Sequence, residues 1–359
     1  MQTRIFRFFT RDPADTRALE TAVREGRMDP REIVAIIGKT EGNGAGNDFS
    51  RGLATLACTG WLAAHLGCTP EEAGERVVLS FSGGTEGIVA PHLLVFAVSG
   101  SPRAQPREGK RLAVAVGHTR PFLAAEAGGM AMVEETARAV HGLMAGLRVE
   151  PGDVHLVQVK GAMPVRGPES LDATSGCDMA GSRAASALGV GLALGEIAGT
   201  RLDPGAVNRD WGLYSTRASV SAKPGLARSE ICLFANSAYW DGDFAIAHDV
   251  MEDILDVPAI YRVLARLGLH PRNGQLPPED RERLVAIFAK SDADPRGTVR
   301  GRRHTMWSDG DISDMRHSRC VVSSLLAGVT GETAVYVSTR AEHQGPPGGG
   351  PVALIGKAP

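Results

Sequence analysis

Three aliphatic runs of the chain end in a lysine: IVAIIGK at Lys39, VHLVQVK at Lys160 and LVAIFAK at Lys290. A glycine-rich or polar loop follows each, then an arginine opening a small-residue helical run: Arg51, Arg183 and Arg319. A further strand-like run then ends in serine: RVVLSFS at Ser82, RASVS at Ser221 and AVYVS at Ser338. A lysine at the carboxyl end of a buried strand stands where α/β proteins hold their ligands. Desolvation and neighbouring cations lower its pKa, and the neutral amine then accepts a serine proton. Serine–lysine pairs are one form of the nucleophile-and-base arrangement. The residues after the serines, Gly83, Ala222 and Thr339, offer backbone N–H groups for a developing oxyanion, and the arginines offer forked donors to carbonyl or anionic oxygens.

Taken singly, a strand-end lysine is usually solvated and a serine before glycine is usually a turn residue. The weight lies in the repetition. The lysines stand 121 and 130 residues apart, close to a third of the 359-residue chain, and the order lysine, arginine, serine holds each time. Self-similarity at that period predicts three copies of one unit.

The elements that must position these residues repeat as well. Upstream of each lysine run lies an amphipathic pattern with apolar residues at three- and four-residue spacing: DTRALETAVREG, MVEETARAVHGLMAGL and VPAIYRVLARLGL. A last apolar run closes each unit: HLLVFAV, EICLFANS and PVALIGK. RIFRFF and RLAVAVGHT open the first two units, and FAIAHDV is a weaker opening for the third. Each unit thus reads β-α-β-α-β-β, over residues 1–103, 111–248 and 254–359. The polar, proline-bearing SGSPRAQPREGK is the linker between the first two, and the second boundary is softer, near 249–256.

Composition narrows the function classes. A formal charge of −2 leaves no electrostatic footprint for nucleic acid or anionic lipid. No run approaches membrane-spanning length, and MQTRIFRFFTRDPADT carries no apolar core of a signal peptide. Cys58, Cys68, Cys177, Cys232 and Cys320 form no CxxC and are expected to be reduced thiols of a cytoplasmic protein. SFSGGTEG at 80–87 lacks the ending of a P-loop, no GxGxxG opens a helix after the first strand, and Ser80 stands where a G-x-S-x-G elbow needs glycine. RRHTMWSDGDISDMRH matches no zinc or EF-hand spacing. The tail AEHQGPPGGGP differs: its glycines and prolines expose consecutive carbonyls, which suit a hard cation if Asp292 of the same unit joins them.

The segments GKTEGNGAGNDFSRG, SGGTEGIVAPH, ASALGVGLALGE, RGRRHTM and AEHQGPPGGGPVALI resemble the cyanuric acid hydrolase/barbiturase family of cyclic amide hydrolases across most of the chain. The resemblance implies three similar α/β units around a pseudo-threefold axis, with a central β-barrel and outer helices, assembled as a homotetramer. It implies one site on that axis for a small cyclic imide or triazine, with Ser221 as nucleophile and Lys160 as base. Lys39, Arg51, Ser82, Gly83, Arg183, Ala222, Lys290, Arg319, Ser338 and Thr339 would hold and polarise the ring. No cofactor is implied for catalysis. A structural Mg²⁺ or Ca²⁺ would rest on Asp292 with groups of Ala341, Gln344, Gly345, Pro346 and Gly349.

The chain departs from the family pattern in places. GAMPVRGPESLDATSG after Lys160 looks shortened, and SVSAKPGLARSE carries an extra lysine and proline, leaving Ser219 a rival of Ser221. Thr339 stands where glycine is common and Asp292 where glutamate is usual. The expected reaction is opening of cyanuric acid to carboxybiuret, which decarboxylates to biuret. The alternatives are barbiturase, taking barbiturate to ureidomalonate, and a catalytically silent ring-binding homologue.

Overall fold

The structure is a computed structural model that describes residues 1–164 and 178–358. Most of the stretch whose shortening was noted after Lys160, together with Cys177, lies outside the described residues. The strands are β1 (Gln2–Phe9), β2 (Ile33–Thr40), β3 (Val78–Gly83), β4 (His92–Ser99), β5 (Arg111–His118), β6 (Val154–Met163) and β7 (Ala218–Pro224). They continue with β8 (Glu230–Ser237), β9 (Phe244–Met251), β10 (Leu284–Ser291), the short hairpin β11 (Thr298–Val299) and β12 (Arg302–Arg303), β13 (Tyr336–Thr339) and β14 (Gly350–Lys357). The helices are α1 (Arg17–Arg24), α2 (Phe49–Leu66), α3 (Pro70–Arg76), α4 (Met130–Leu147), α5 (Met179–Ala193), α6 (Val257–Arg266), α7 (Pro278–Arg281) and α8 (Asp314–Thr330).

Apart from the hairpin, the strands form three four-stranded sheets of one topology: β1-β4-β2-β3, β5-β8-β6-β7 and β9-β14-β10-β13. In each, the first and fourth strands pair antiparallel, the fourth and second antiparallel, and the second and third parallel. FAIAHDV is therefore a true opening strand: β9 pairs with β14 along its whole length. The first strand of the third sheet begins at Phe244, within the span read as the second unit. The arginines also lie deeper than the sequence reading placed them. The helices start earlier, where Asp48 accepts a bond from Ser50 N and Asp178 from Gly181 N as N-caps, so Arg51 and Arg183 fall in the first two turns.

Period-two alternation gives each sheet two faces. The outer faces pack on helices: β2, β3 and β4 against α1, α2 and α3; the second sheet against α4 and α5; the third against α6 and α8. The inner faces meet in one shared core that draws on all three sheets, including Ile37, Phe96, Val114, Phe234, Phe288 and Tyr336. Ring centroids of Phe234 lie 5.0 Å from Phe96 and 5.8 Å from Phe288, so aromatic contacts join the sheets. The expected closed barrel is not formed. Among the described residues no hydrogen-bonded ladder joins one four-stranded sheet to another, only the isolated bridges Gln2↔Asp241 and Ser215↔Gln344. The physical reason is that edge carbonyls on β3, β7 and β13 are taken by lysine side chains of neighbouring sheets rather than by strand N–H groups.

No helix among the described residues is long and apolar enough to cross a membrane. The described cysteines, Cys58, Cys68, Cys232 and Cys320, are free thiols. Truncating Phe234 removes aromatic contacts to both neighbouring sheets. Phe234→Ala is expected to cost about 3–5 kcal/mol of stability, read as a lower midpoint of urea denaturation. A midpoint within error of the parent would show that the sheets do not depend on this core.

Candidate active site

Each lysine is the seventh residue of its strand, on β2, β6 and β10. Alternation sets it on the inner face, two residues beyond Ile37, Gln158 and Phe288 respectively. The parallel register then places Lys39 opposite Ser82, Lys160 opposite Ser221 and Lys290 opposite Ser338. Side-chain contacts follow: Nζ to Oγ is 3.2 Å for Lys39–Ser82, 2.8 Å for Lys160–Ser221 and 3.1 Å for Lys290–Ser338. None of the lysines is more than 3% exposed.

The lysines also interlock the sheets. Lys39 donates to Val337 O at 2.9 Å, Lys160 to Phe81 O at 2.7 Å and Lys290 to Val220 O at 2.5 Å. In every case the acceptor is the residue just before a serine of another sheet. Burial and a nearby arginine push all three below the ordinary lysine value: Arg319 beside Lys39, Arg183 beside Lys290, and Arg51 beside Lys160, which falls to about 7.

Counting acceptors separates the three. Lys39 donates to three oxygens, adding Gly83 O, and Lys290 to four, adding Thr339 O and Arg340 O. Those sets engage every hydrogen the nitrogen can offer. Lys160 has two oxygen partners, Phe81 O and Ser221 Oγ. A neutral amine satisfies that pair, donating to the carbonyl and receiving the hydroxyl proton in its lone pair.

Above the lysines lies a cavity of about 380 Å³. Its lining includes Ser82, Ser221 and Ser338, the following residues Gly83, Ala222 and Thr339, and Arg51, Arg183 and Arg319. Lys160 borders a smaller pocket of about 160 Å³ next to it, which shares Gly46, Arg51 and Phe81 with the main cavity. Lys39 and Lys290 line neither, and stand beneath their serines. Ser219, the rival nucleophile, is buried two residues below Ser221 opposite Gln158, and its hydroxyl has no hydrogen-bond partner among the described residues.

The sequence reading missed the carboxylates that balance the arginines. Glu342 accepts a two-point bond from Arg183, at 2.7 and 2.6 Å. Glu86 lies 3.1 Å from Arg319, and Asp48 lies 3.7 Å from Arg51. All three sit in the glycine-rich segments already singled out, where only the glycines and basic residues drew notice. Arg319 also donates to Gly83 O at 2.6 Å, and Arg51 donates to Ala45 O. Close packing explains two glycines. A Cβ on Gly84, at φ +101, would stand 1.2 Å from Arg319 Nη1, and one on Gly83 would stand 1.6 Å from Asp48 Oδ2. Paired in this way, the arginines present directed donors without a large uncompensated positive field, which suits a polar neutral ring better than a phosphate.

At the C-terminal loop, Asp292 borders a cavity of about 80 Å³ together with Ala341 and Gly345. Pro346 and Gly349 are outside that lining. Gln344 has its side chain committed elsewhere, accepting from Val220 N at 2.6 Å through Oε1 and donating through Nε2 to Arg340 O and Glu342 O. Only its backbone carbonyl is left for a cation. Burial, reinforced by the Glu342 carboxylate, pushes Asp292 up to about 7, and no hydrogen bond or ion pair reaches it among the described residues. A half-buried carboxylate without a partner beside a carbonyl-rich loop fits a hard cation. Among the described residues no cluster of three His, Cys, Asp or Glu forms, so such a site would rest on one carboxylate and backbone oxygens.

Known proteins share this arrangement of chain. The profile of the family described as amidohydrolase ring-opening protein matches residues 4–357. A cyanuric acid amidohydrolase of Bradyrhizobium diazoefficiens is 44% identical, over 98% of this chain and 97% of its own. A cyclic amide hydrolase of Azorhizobium caulinodans is 42% identical, over 96% of this chain and 97% of its own. One solved cyanuric acid hydrolase superposes with a TM-score of 0.90 at 40% identity, covering 99% of both chains. Another, from A. caulinodans, gives 0.87 at 39%, again with 99% of both. The sequence motifs, the full-length match and the shared fold agree: this chain belongs to the ring-opening amidohydrolases, the cyanuric acid hydrolase/barbiturase family.

Proposed function

We propose that the protein opens cyanuric acid by serine–lysine catalysis at Ser221 and Lys160. The observation that carries this reading is the 2.8 Å Lys160–Ser221 contact at the floor of the cavity, made by the one lysine of the three whose partners suit a neutral amine. Relatives that align over nearly the whole chain carry the name cyanuric acid amidohydrolase, which supports the substrate.

In this mechanism Lys160 takes the hydroxyl proton as Ser221 Oγ adds to a ring carbonyl. The tetrahedral intermediate is stabilised by the backbone N–H of Ala222 and by the arginine donors. Its collapse breaks the ring C–N bond, and the proton held by Lys160 passes to the leaving nitrogen. Water then adds to the acyl-serine carbonyl as Lys160 takes its proton. The bond to Ser221 Oγ breaks, Lys160 returns the proton to that oxygen, and carboxybiuret leaves and loses CO2 to give biuret. Ser82 and Ser338, with their partners Lys39 and Lys290, hold the other two carbonyls. We infer a pseudo-threefold arrangement of the units, supported by the cyclic order of the lysine-to-carbonyl bonds. A ring with three equivalent carbonyls matches three equivalent clamps. The homotetramer implied by the family resemblance is our proposal for the assembly, and the cytoplasm for its location.

A bound Mg²⁺ or Ca²⁺ would be held by Asp292 with carbonyls of the 341–349 loop, supplying positive charge beside an unpaired, half-buried carboxylate and tying the loop to the end of β10. It takes no part in the steps above.

Ser221→Ala is expected to lower kcat by roughly a thousandfold or more, with ring binding still measurable by calorimetry. Activity within tenfold of the parent would remove Ser221 from the nucleophile's role. Ser82→Ala and Ser338→Ala are expected to weaken kcat/KM by roughly ten- to a hundredfold. Loss of cyanuric acid and of barbiturate, each followed by ultraviolet absorbance, decides between the two rings, and inertness to both would identify a silent binding protein.

Because the base must be the free amine, kcat/KM is expected to rise with pH through about 7, the value to which Lys160 is lowered. Asp292 obeys the opposite linkage. Its folded-state pKa is raised to about 7, so the native state holds the proton more tightly than the unfolded chain, and stability without metal falls as pH rises from the ordinary carboxylate range through 7. Above that pH, Mg²⁺ or Ca²⁺ is expected to raise the melting temperature of the parent and to leave Asp292→Asn unchanged. An equal response of both proteins would place the cation elsewhere.

A further inference from the structure

Side chains directly opposite one another in a sheet share a face. The second sheet therefore carries a row across three strands: Glu230 on β8, Lys160 on β6 and Ser221 on β7. The same row in the first sheet is His92, Lys39 and Ser82, so a histidine stands where the second has a carboxylate. His92 is buried, and burial holds it neutral, at about 4. In the third sheet the β10–β14 ladder stops at Ala289↔Val352, and the backbone of Gly350 closes over Lys290, leaving 2.8 Å between the lysine Cβ and a Cβ placed on that glycine. Among the three rows, an acid next to the lysine occurs once.

Glu230 has no evident structural use for its charge. Its Oε2 is buried and lacks a hydrogen-bond partner among the described residues. Lys223 stands two residues beyond Ser221 on the edge strand β7, on the same face, and borders the 160 Å³ pocket together with Lys160. This is the extra lysine by which the chain departs from the family pattern around its nucleophile.

We propose that Glu230 and Lys223 are positioning residues that act on Lys160 from opposite sides of its row, with opposed charges, and so set the pH at which it becomes a free base. The inference rests on the reading of Lys160 as the base of Ser221. The Glu230 carboxylate favours the ammonium that Lys160 becomes when it takes the serine proton, and the like charge of Lys223 disfavours it. The groups facing Lys160 are Arg51 and the N-cap Asp48 of α2, Lys223 of β7, Glu230 of β8, and Lys39 and Lys290 of the adjoining sheets, with Arg228 and Glu75 beyond Glu230. Desolvation and the cations push Lys160 down while Glu230 and Asp48 push it up. Such a balance leaves a base that accepts the proton and then gives it up to the leaving nitrogen.

The test uses Glu230→Gln, Lys223→Met and Lys223→Arg in the full-length protein, with two readouts. One is the acid limb of kcat/KM for cyanuric acid. The other is the pH midpoint of Lys160 acylation by a small reagent, read by mass spectrometry, which needs no turnover. Glu230→Gln is expected to move both midpoints down by about one pH unit and Lys223→Met to move both up by a similar amount. Lys223→Arg, which keeps the charge, leaves them in place. Acylation midpoints that stay put, or that move in the same direction in both charge-removing variants, overturn the proposal. Midpoints that separate as expected while the acid limb stays fixed uphold the tuning of Lys160 but remove it as the base. Should Glu230→Gln not fold, Lys223→Met against Lys223→Arg decides alone.

Discussion

Three buried lysines hold this molecule together at its centre, and each does so by donating to a backbone carbonyl of another sheet. A buried lysine nitrogen is costly unless it meets acceptors, and an edge carbonyl turned away from water is costly unless it meets a donor. The two problems cancel at Lys39–Val337, Lys160–Phe81 and Lys290–Val220. That exchange also explains why three sheets lie side by side without merging. The strands that a closed barrel would join by a ladder are bridged by lysine side chains, and aromatic packing among Phe96, Phe234 and Phe288 fills the space beneath. Inner-face residues thus pass from an apolar core, through the layer of Gln158, Ser80 and Tyr336, to the lysine–serine layer under the cavity.

The three lysines nevertheless differ in how fully they are bonded. A lysine nitrogen with three or four oxygen partners has every hydrogen engaged, whereas one with two has not. Lys39 and Lys290 are of the first kind and Lys160 of the second. Repetition of a unit therefore does not produce three equal sites. The row beside each lysine differs as well, with His92, Glu230 or the backbone of Gly350 as its neighbour.

Much of this was legible in the chain because strand geometry is periodic. Lys39 and Ser82 each end an aliphatic run, and a parallel register that aligns those ends makes them partners. The triplicated order carried the argument that any single pair lacked. What escaped was information that depends on the third dimension. Asp48, Glu86 and Glu342 are ordinary loop acids until folding sets them against Arg51, Arg319 and Arg183. Whether three sheets close into a barrel turns on which groups satisfy their edge carbonyls, and periodicity does not encode that. FAIAHDV read weakly as a strand since its polar His248 and Asp249 interrupt the alternation, yet pairing with β14 along its length overrides local preference.

The interlock also limits how residues can be assigned to single units. Lys290 belongs to the third sheet but supports Val220, the residue before Ser221 in the second, while Lys160 supports Phe81, before Ser82 in the first. A change at one lysine consequently reaches two serines: its own, through the Nζ–Oγ contact, and a neighbour's, through the backbone of the strand that carries it. Groups that share a network in this way do not contribute additively. The position of each serine is then a property of all three sheets together, because the residue before it is held by a lysine that belongs to another sheet.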